Sequence, residues 1–96
     1  MKRSDAIDLL ARSKPILEER YGVTHLALFG STARDRAKSG SDVDVLVAFD
    51  GPATSARYFG GQFYLEDQFG CAADLVSERA LRAELRPFVE MEAIHV

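Results

Sequence analysis

Leu26-Ala27-Leu28-Phe29-Gly30-Ser31 and, after a short charged link, Ser41-Asp42-Val43-Asp44-Val45-Leu46-Val47 are the stretches on which the reading of this chain turns. Thr24 to Phe29 reads as a short, largely buried strand that stops at Gly30. Ser31 to Ala37 reads as a short helix and Lys38-Ser39-Gly40 as a loop. Ser41 to Phe49 alternates as a strand does, with Asp42, Asp44, Leu46 and Ala48 on one face and Val43, Val45, Val47 and Phe49 on the other. Glycine at position 30 lets the backbone approach a ligand, and the N–H groups opening the next helix favour phosphate. The Ser31 hydroxyl adds one hydrogen bond, and Arg34, one turn on, a charged donor.

Asp42 and Asp44 project from one strand face about 7 Å apart, close enough to lean toward one cation. Asp74 stands in Ala72-Ala73-Asp74-Leu75-Val76, an otherwise apolar strand, where a carboxylate needs a partner. If the first two strands run antiparallel and the third runs parallel to the second, the Gly-Ser turn, the Asp pair and Asp74 meet at one end of the sheet. Three carboxylates so placed repel one another, and hard oxygen ligands suit Mg²⁺ or Mn²⁺. Alone, Gly-Ser is an ordinary capped turn and Asp-x-Asp an ordinary strand start. Their placement a dozen residues apart is the more specific signal, and it points to a protein that holds a nucleoside triphosphate and transfers part of it.

The remaining elements follow from period and punctuation. Ser4 reads as the N-cap of a helix carrying Ile7, Leu10, Ala11, Lys14, Leu17 and Tyr21, with Pro15 expected to kink or break it and Gly22 to end it. Thr54 to Gln68 reads as a helix weakened by Gly60-Gly61. Ala72 to Val76 is the third strand, Ser77 caps a helix to about Leu85, and Pro87 opens a last helical turn before the tail. The order α-β-α-β-α-β-α predicts an α/β (α+β) architecture, a small three-stranded mixed sheet with helices packed on it. Tyr58, Leu65 and Phe69 form a core stripe that Phe59 and Phe63 widen. Tyr64 falls off it, where it and one of the two Phe residues are expected to face a partner, and Gly60-Gly61 would let a partner helix approach.

The 96 residues are read as one domain, 1–96, with a modest core. Hydrophobic content of 47% and charged content of 28% exclude a disordered chain. A net charge of -3 argues against a module for direct nucleic-acid binding. The one cysteine, Cys71, allows no intrachain disulfide and reads as a packed hydrophobe in a reducing, cytoplasmic setting. The N-terminus lacks the apolar region of a signal peptide, and no apolar run approaches membrane-span length.

Gly30-Ser31-Thr32-Ala33-Arg34 followed by Ser41-Asp42-Val43-Asp44-Val45-Leu46-Val47 resembles the signature of the DNA polymerase β-like nucleotidyltransferase superfamily, and the short length resembles its minimal branch. The resemblance extends over nearly the whole chain, including Asp74-Leu75-Val76 and the ending Leu85-Arg86-Pro87 with Glu92-Ala93-Ile94. It implies the nucleotidyltransferase fold, with Gly30 and Ser31 on the nucleotide phosphates. It also implies Asp42, Asp44 and Asp74 as a catalytic, metal-binding triad for two Mg²⁺ ions, Mn²⁺ being an alternative, with ATP as substrate. Asp35 departs from the family pattern, in which many relatives have glycine after the arginine, and places a negative charge near the phosphate entry. Minimal members are often paired with a HEPN-domain ribonuclease toxin and act as its antitoxin by moving AMP from ATP to a toxin tyrosine. The resemblance therefore implies a HEPN toxin as partner and acceptor. The alternatives are an antitoxin that acts by stoichiometric binding alone and, less in keeping with the chain length, an oligomeric enzyme for a small molecule.

Overall fold

The computed structural model describes residues 1–38 and 42–96. The expected loop at Ser39-Gly40 and the strand start at Ser41 lie outside the described residues. Four strands form one sheet: β1 (Val23–Phe29), β2 (Val43–Phe49), β3 (Ala73–Ser77) and β4 (Ile94–His95), in the order β3-β2-β1-β4. β1 and β2 run antiparallel with Phe29 opposite Asp44. β2 and β3 run parallel with Asp44 opposite Asp74. These are the strand directions under which the sequence reading gathers the Gly-Ser turn and the three acids at one end of the sheet.

The fourth strand departs from the three-stranded expectation. β4 pairs only Ala27 with His95 and Leu28 with Ile94. Two residues are too few for alternation to register in a sequence, and tertiary pairing alone makes them a strand. The Val96 N–H donates to the Leu26 carbonyl at 3.1 Å, and Lys14 Nζ donates to the Val96 carbonyl at 2.9 Å, so the tail is tied down.

The core lies on the sheet face that carries Val43, Val45, Val47 and Phe49. Helices α1 (Arg3–Tyr21) and α3 (Ser55–Phe69) cover it with Ala6, Leu10, Leu17, Leu65 and Phe69. On α1 the buried positions are Ala6, Leu10, Ser13 and Leu17. This 4-3-4 spacing is the helical stripe, shifted from the predicted one by small residues that carry little hydrophobic signal. Pro15 neither breaks nor ends α1. It is exposed, so the carbonyl it leaves unpaired one turn earlier can be hydrated. Ser4 is not the cap; Lys2 holds that position without a side-chain bond, and Gly22 ends the helix in the left-handed region at φ 70°.

The edge of the sheet at β3 is closed by α3. Tyr58, Gln62 and Glu66 are spaced four apart and so share one side of the helix. The Tyr58 hydroxyl donates to the Leu75 carbonyl, Gln62 Nε2 donates to the Ala73 carbonyl at 3.0 Å, and the Ala73 N–H donates to Glu66 Oε2 at 3.0 Å. Side chains thus satisfy the outward groups of an edge strand that would otherwise invite another strand. Gly60 serves contact within the chain, because a Cβ there would run into the Tyr21 ring of α1. Tyr64 is partly buried against the core. The exposed aromatics of α3 are the two Phe residues, Phe59 at 49% and Phe63 at 61%, with ring centroids 6.3 Å apart, where exposure of one is expected.

After β3 the expected helix from Ser77 is replaced by a single 3-10 turn, Glu78–Ala80, and then turns. Ser77 itself ends the strand. Helix α4 (Arg86–Glu92) follows with Pro87 in its first turn. Among the described residues no helix is long and apolar enough to cross a membrane. Leu65 is fully buried between α3 and the sheet. Leu65→Ala is expected to lower stability by about 2–5 kcal/mol, measured by urea unfolding; a loss well below that would place the core elsewhere.

Candidate functional site

The site is assembled by register. Phe29 ends β1 opposite Asp44, so the chain turns at Gly30 directly over the Asp44 side chain. Gly30 adopts φ 73°, and a Cβ at this position would strike the Asp44 carboxylate. Both the backbone conformation and the lack of room require glycine. Helix α2 (Gly30–Ala33) is a single turn, shorter than the predicted Ser31–Ala37. A helix this short adds little dipole, so a phosphate seat here rests on the N–H groups of the turn and on nearby cations.

Arg34 follows α2, and its N–H donates to the Gly30 carbonyl at 3.2 Å. The next residue, Asp35, sits in the left-handed region at φ 58°. Aspartate tolerates this conformation better than most side chains. Its carboxylate accepts the Arg3 N–H at 3.1 Å and so caps the start of α1, the role expected of Ser4. The position that would suit glycine is therefore filled by a residue that ties α1 to the segment after the Gly30-Ser31 turn.

The three predicted carboxylates lie on or beside neighbouring strands. Asp44 is half-buried in β2, Asp74 is its register partner in β3, and Asp42 is exposed just before β2. Burial holds the Asp44 carboxyl above its usual range, and the charges of Asp74 and Asp42 raise it further, while the Arg34 guanidinium pulls it down. Two acids and the arginine therefore all act on Asp44. Burial, and after it the charge of Asp74, likewise raises the Tyr58 phenol. Among the described residues no three Asp, Glu, His or Cys side chains are already drawn together as a ligand set. Mutual repulsion gives such a set no reason to close by itself. The donors suit a hard divalent cation: they are carboxylate oxygens on or beside adjacent strands, and after burial their charges raise Asp44, which Arg34 offsets in part.

Two further features have no sequence signal. The Thr32 hydroxyl is buried within α2 and has no hydrogen-bond partner among the described residues. A cleft of about 490 Å³ lies by the outer edge of β3, lined by Ala53, Tyr58, Leu75, Ser77, Arg79 and Ala80. It includes none of the five residues that form the turn and the acidic triad. Tyr58, one of its lining residues, feels the charge of Asp74.

Comparison with known proteins places this geometry. The family model described as a nucleotidyltransferase domain matches residues 10–95. Protein adenylyltransferase MntA of Thermococcus cleftensis is 35% identical over 88 residues, 92% of this chain and 89% of that protein. A solved structure described as a candidate minimal nucleotidyltransferase is 38% identical with a TM-score of 0.78, covering 98% of this chain and 95% of its own. The fold is shared at 19% identity and a TM-score of 0.62 with a structure of tri-AMPylated Shewanella oneidensis HEPN toxin in complex with MNT antitoxin, over 99% of this chain and 71% of that one.

Two outcomes test the geometry. Gly30→Ala is expected to cost about 1–3 kcal/mol in chemical unfolding, because it adds backbone strain where there is no space. A neutral effect would show that the turn is not held against Asp44. For Asp44 the folded-state value lies above the unfolded 3.8, so the folded protein keeps its proton longer and stability falls as pH rises through that window. Asp44→Asn should therefore melt above the parent at neutral pH in metal-free buffer, and the gap should close as pH falls below 3.8. A lower melting temperature at neutral pH would refute the uncompensated charge.

Proposed function

The chain belongs to the nucleotidyltransferase domain family, and from that premise we propose that it is an adenylyltransferase that moves AMP from ATP to a hydroxyl, the tyrosine of a HEPN-domain toxin, and so acts as an antitoxin. The observation that carries this reading is the register that stacks Gly30 over Asp44 and pairs Asp44 with Asp74. The names of the relatives support it, since they describe protein adenylyltransferases and an AMPylated toxin with its antitoxin.

The N–H groups of the Gly30-Ser31 turn and the Arg34 guanidinium hold the polyphosphate. Asp42, Asp44 and Asp74 are the residues that would hold Mg²⁺. When bound, such ions neutralise phosphate charge and make an acceptor hydroxyl more acidic. Asp74 orients the acceptor hydroxyl and accepts its proton. The hydroxyl oxygen bonds to the α-phosphorus, the bond from that phosphorus to the bridging oxygen breaks, and pyrophosphate leaves with the electron pair. The acceptor comes from a second protein.

A second reading, neutralisation by binding alone, draws on the exposed Phe59 and Phe63 pair. Incubation with the candidate toxin, Mg²⁺ and ATP labelled at the α-phosphate separates the two. The enzyme reading predicts label on the toxin and a loss of about 100-fold or more in Asp42→Ala/Asp44→Ala. Equal neutralisation by parent and variant, with an unlabelled toxin, would leave binding alone.

A further inference from the structure

Arg34 is not loose beside the phosphate turn. Its Nη1 donates to Glu92 Oε1 at 2.8 Å and Oε2 at 2.9 Å. Glu92 is the last residue of α4 and lies 58 positions away in the chain. The two side chains are 46% and 39% exposed, so the pair is screened by solvent and adds little to stability. Its effect is on geometry. An unpaired arginine on the surface samples many rotamers, and ordering it on ligand binding weakens affinity. Glu92 orders the guanidinium in advance, at a place where its charge acts on Asp44. A guanidinium has five N–H donors, and the contact with Glu92 runs through Nη1. Nε and Nη2 can then donate to a phosphate while Nη1 keeps its hold.

We propose that Glu92 is a positioning residue that presets Arg34 for the nucleotide polyphosphate, so that the C-terminal helix α4 tunes nucleotide affinity. This rests on the nucleotide reading of the Gly30-Ser31 turn. α4 is also the helix whose Phe88 and Met91 stand 69% and 86% exposed. Any displacement of α4 from the body would thus be felt at Arg34.

The test is a double-mutant cycle read as the dissociation constant of a non-hydrolysable ATP analogue with Mg²⁺, by titration calorimetry. The four proteins are the parent, Glu92→Gln, Arg34→Ala and the double variant. Glu92→Gln should weaken binding about threefold to tenfold in the parent and change nothing further once Arg34 is alanine. Melting temperatures of the four report any general loss of structure. Equal weakening by Glu92→Gln in both backgrounds would overturn the proposal, as would unchanged or tighter binding in the single variant, which would make Glu92 a competitor of the phosphate. If the parent itself bound no nucleotide, the underlying functional reading would fall, a result that none of the other outcomes resembles.

Discussion

The antiparallel pairing that sets Phe29 opposite Asp44 is the constraint on which the rest depends. It ends β1 where β2 begins, so the chain must reverse above the first acidic residue inside the sheet. Only glycine can make that reversal against a carboxylate, with φ at 73° and no space for a Cβ. The parallel crossover through α3 then brings β3 alongside β2 and sets Asp74 beside Asp44. One register on each side of β2 therefore creates the site, and the core beneath it holds both registers in place. A slip of one residue would turn Asp44 into the apolar face and expel a valine.

This placement works against stability. A half-buried carboxylate between two others disfavours its own charged form, and the single Arg34 offsets only part of the repulsion. A chain selected for folding alone would not keep that arrangement. The proposed function supplies a reason for it, because accumulated negative charge is what would draw a divalent cation to the site. The fold also spends side chains on order near the site. Asp35 ties α1 to the segment after the Gly30-Ser31 turn, and Glu92 ties α4 to Arg34.

Much of this was legible because the signals are local. Gly30-Ser31 marks the end of an apolar run, Asp42-Val43-Asp44 opens an alternating one, and the lengths of the links dictate strand directions. What escaped the sequence depends on contacts made across the chain. β4 is two residues long and exists only through its pairing with β1. Pro15 reads as a breaker, yet its exposed position spares the helix. Gly60-Gly61 looks like a gap for a partner, but Tyr21 covers Gly60, and Leu17 and Leu75 cover Gly61. Asp35 looks like a defect in a family pattern and serves as a cap contributed from 32 residues away. Glu92 stands in the family-like ending Glu92-Ala93-Ile94, which gives it no role, and only the folded chain brings it to Arg34.

The most direct measurement of the central claim is a crystal structure of the protein soaked with Mn²⁺ and a non-hydrolysable ATP analogue, read by anomalous diffraction. The account predicts anomalous density held by Asp42, Asp44 and Asp74, with phosphate oxygens on the N–H groups of the Gly30-Ser31 turn. Manganese bound elsewhere, or a nucleotide seated in a different part of the fold with the three carboxylates unengaged, would contradict it.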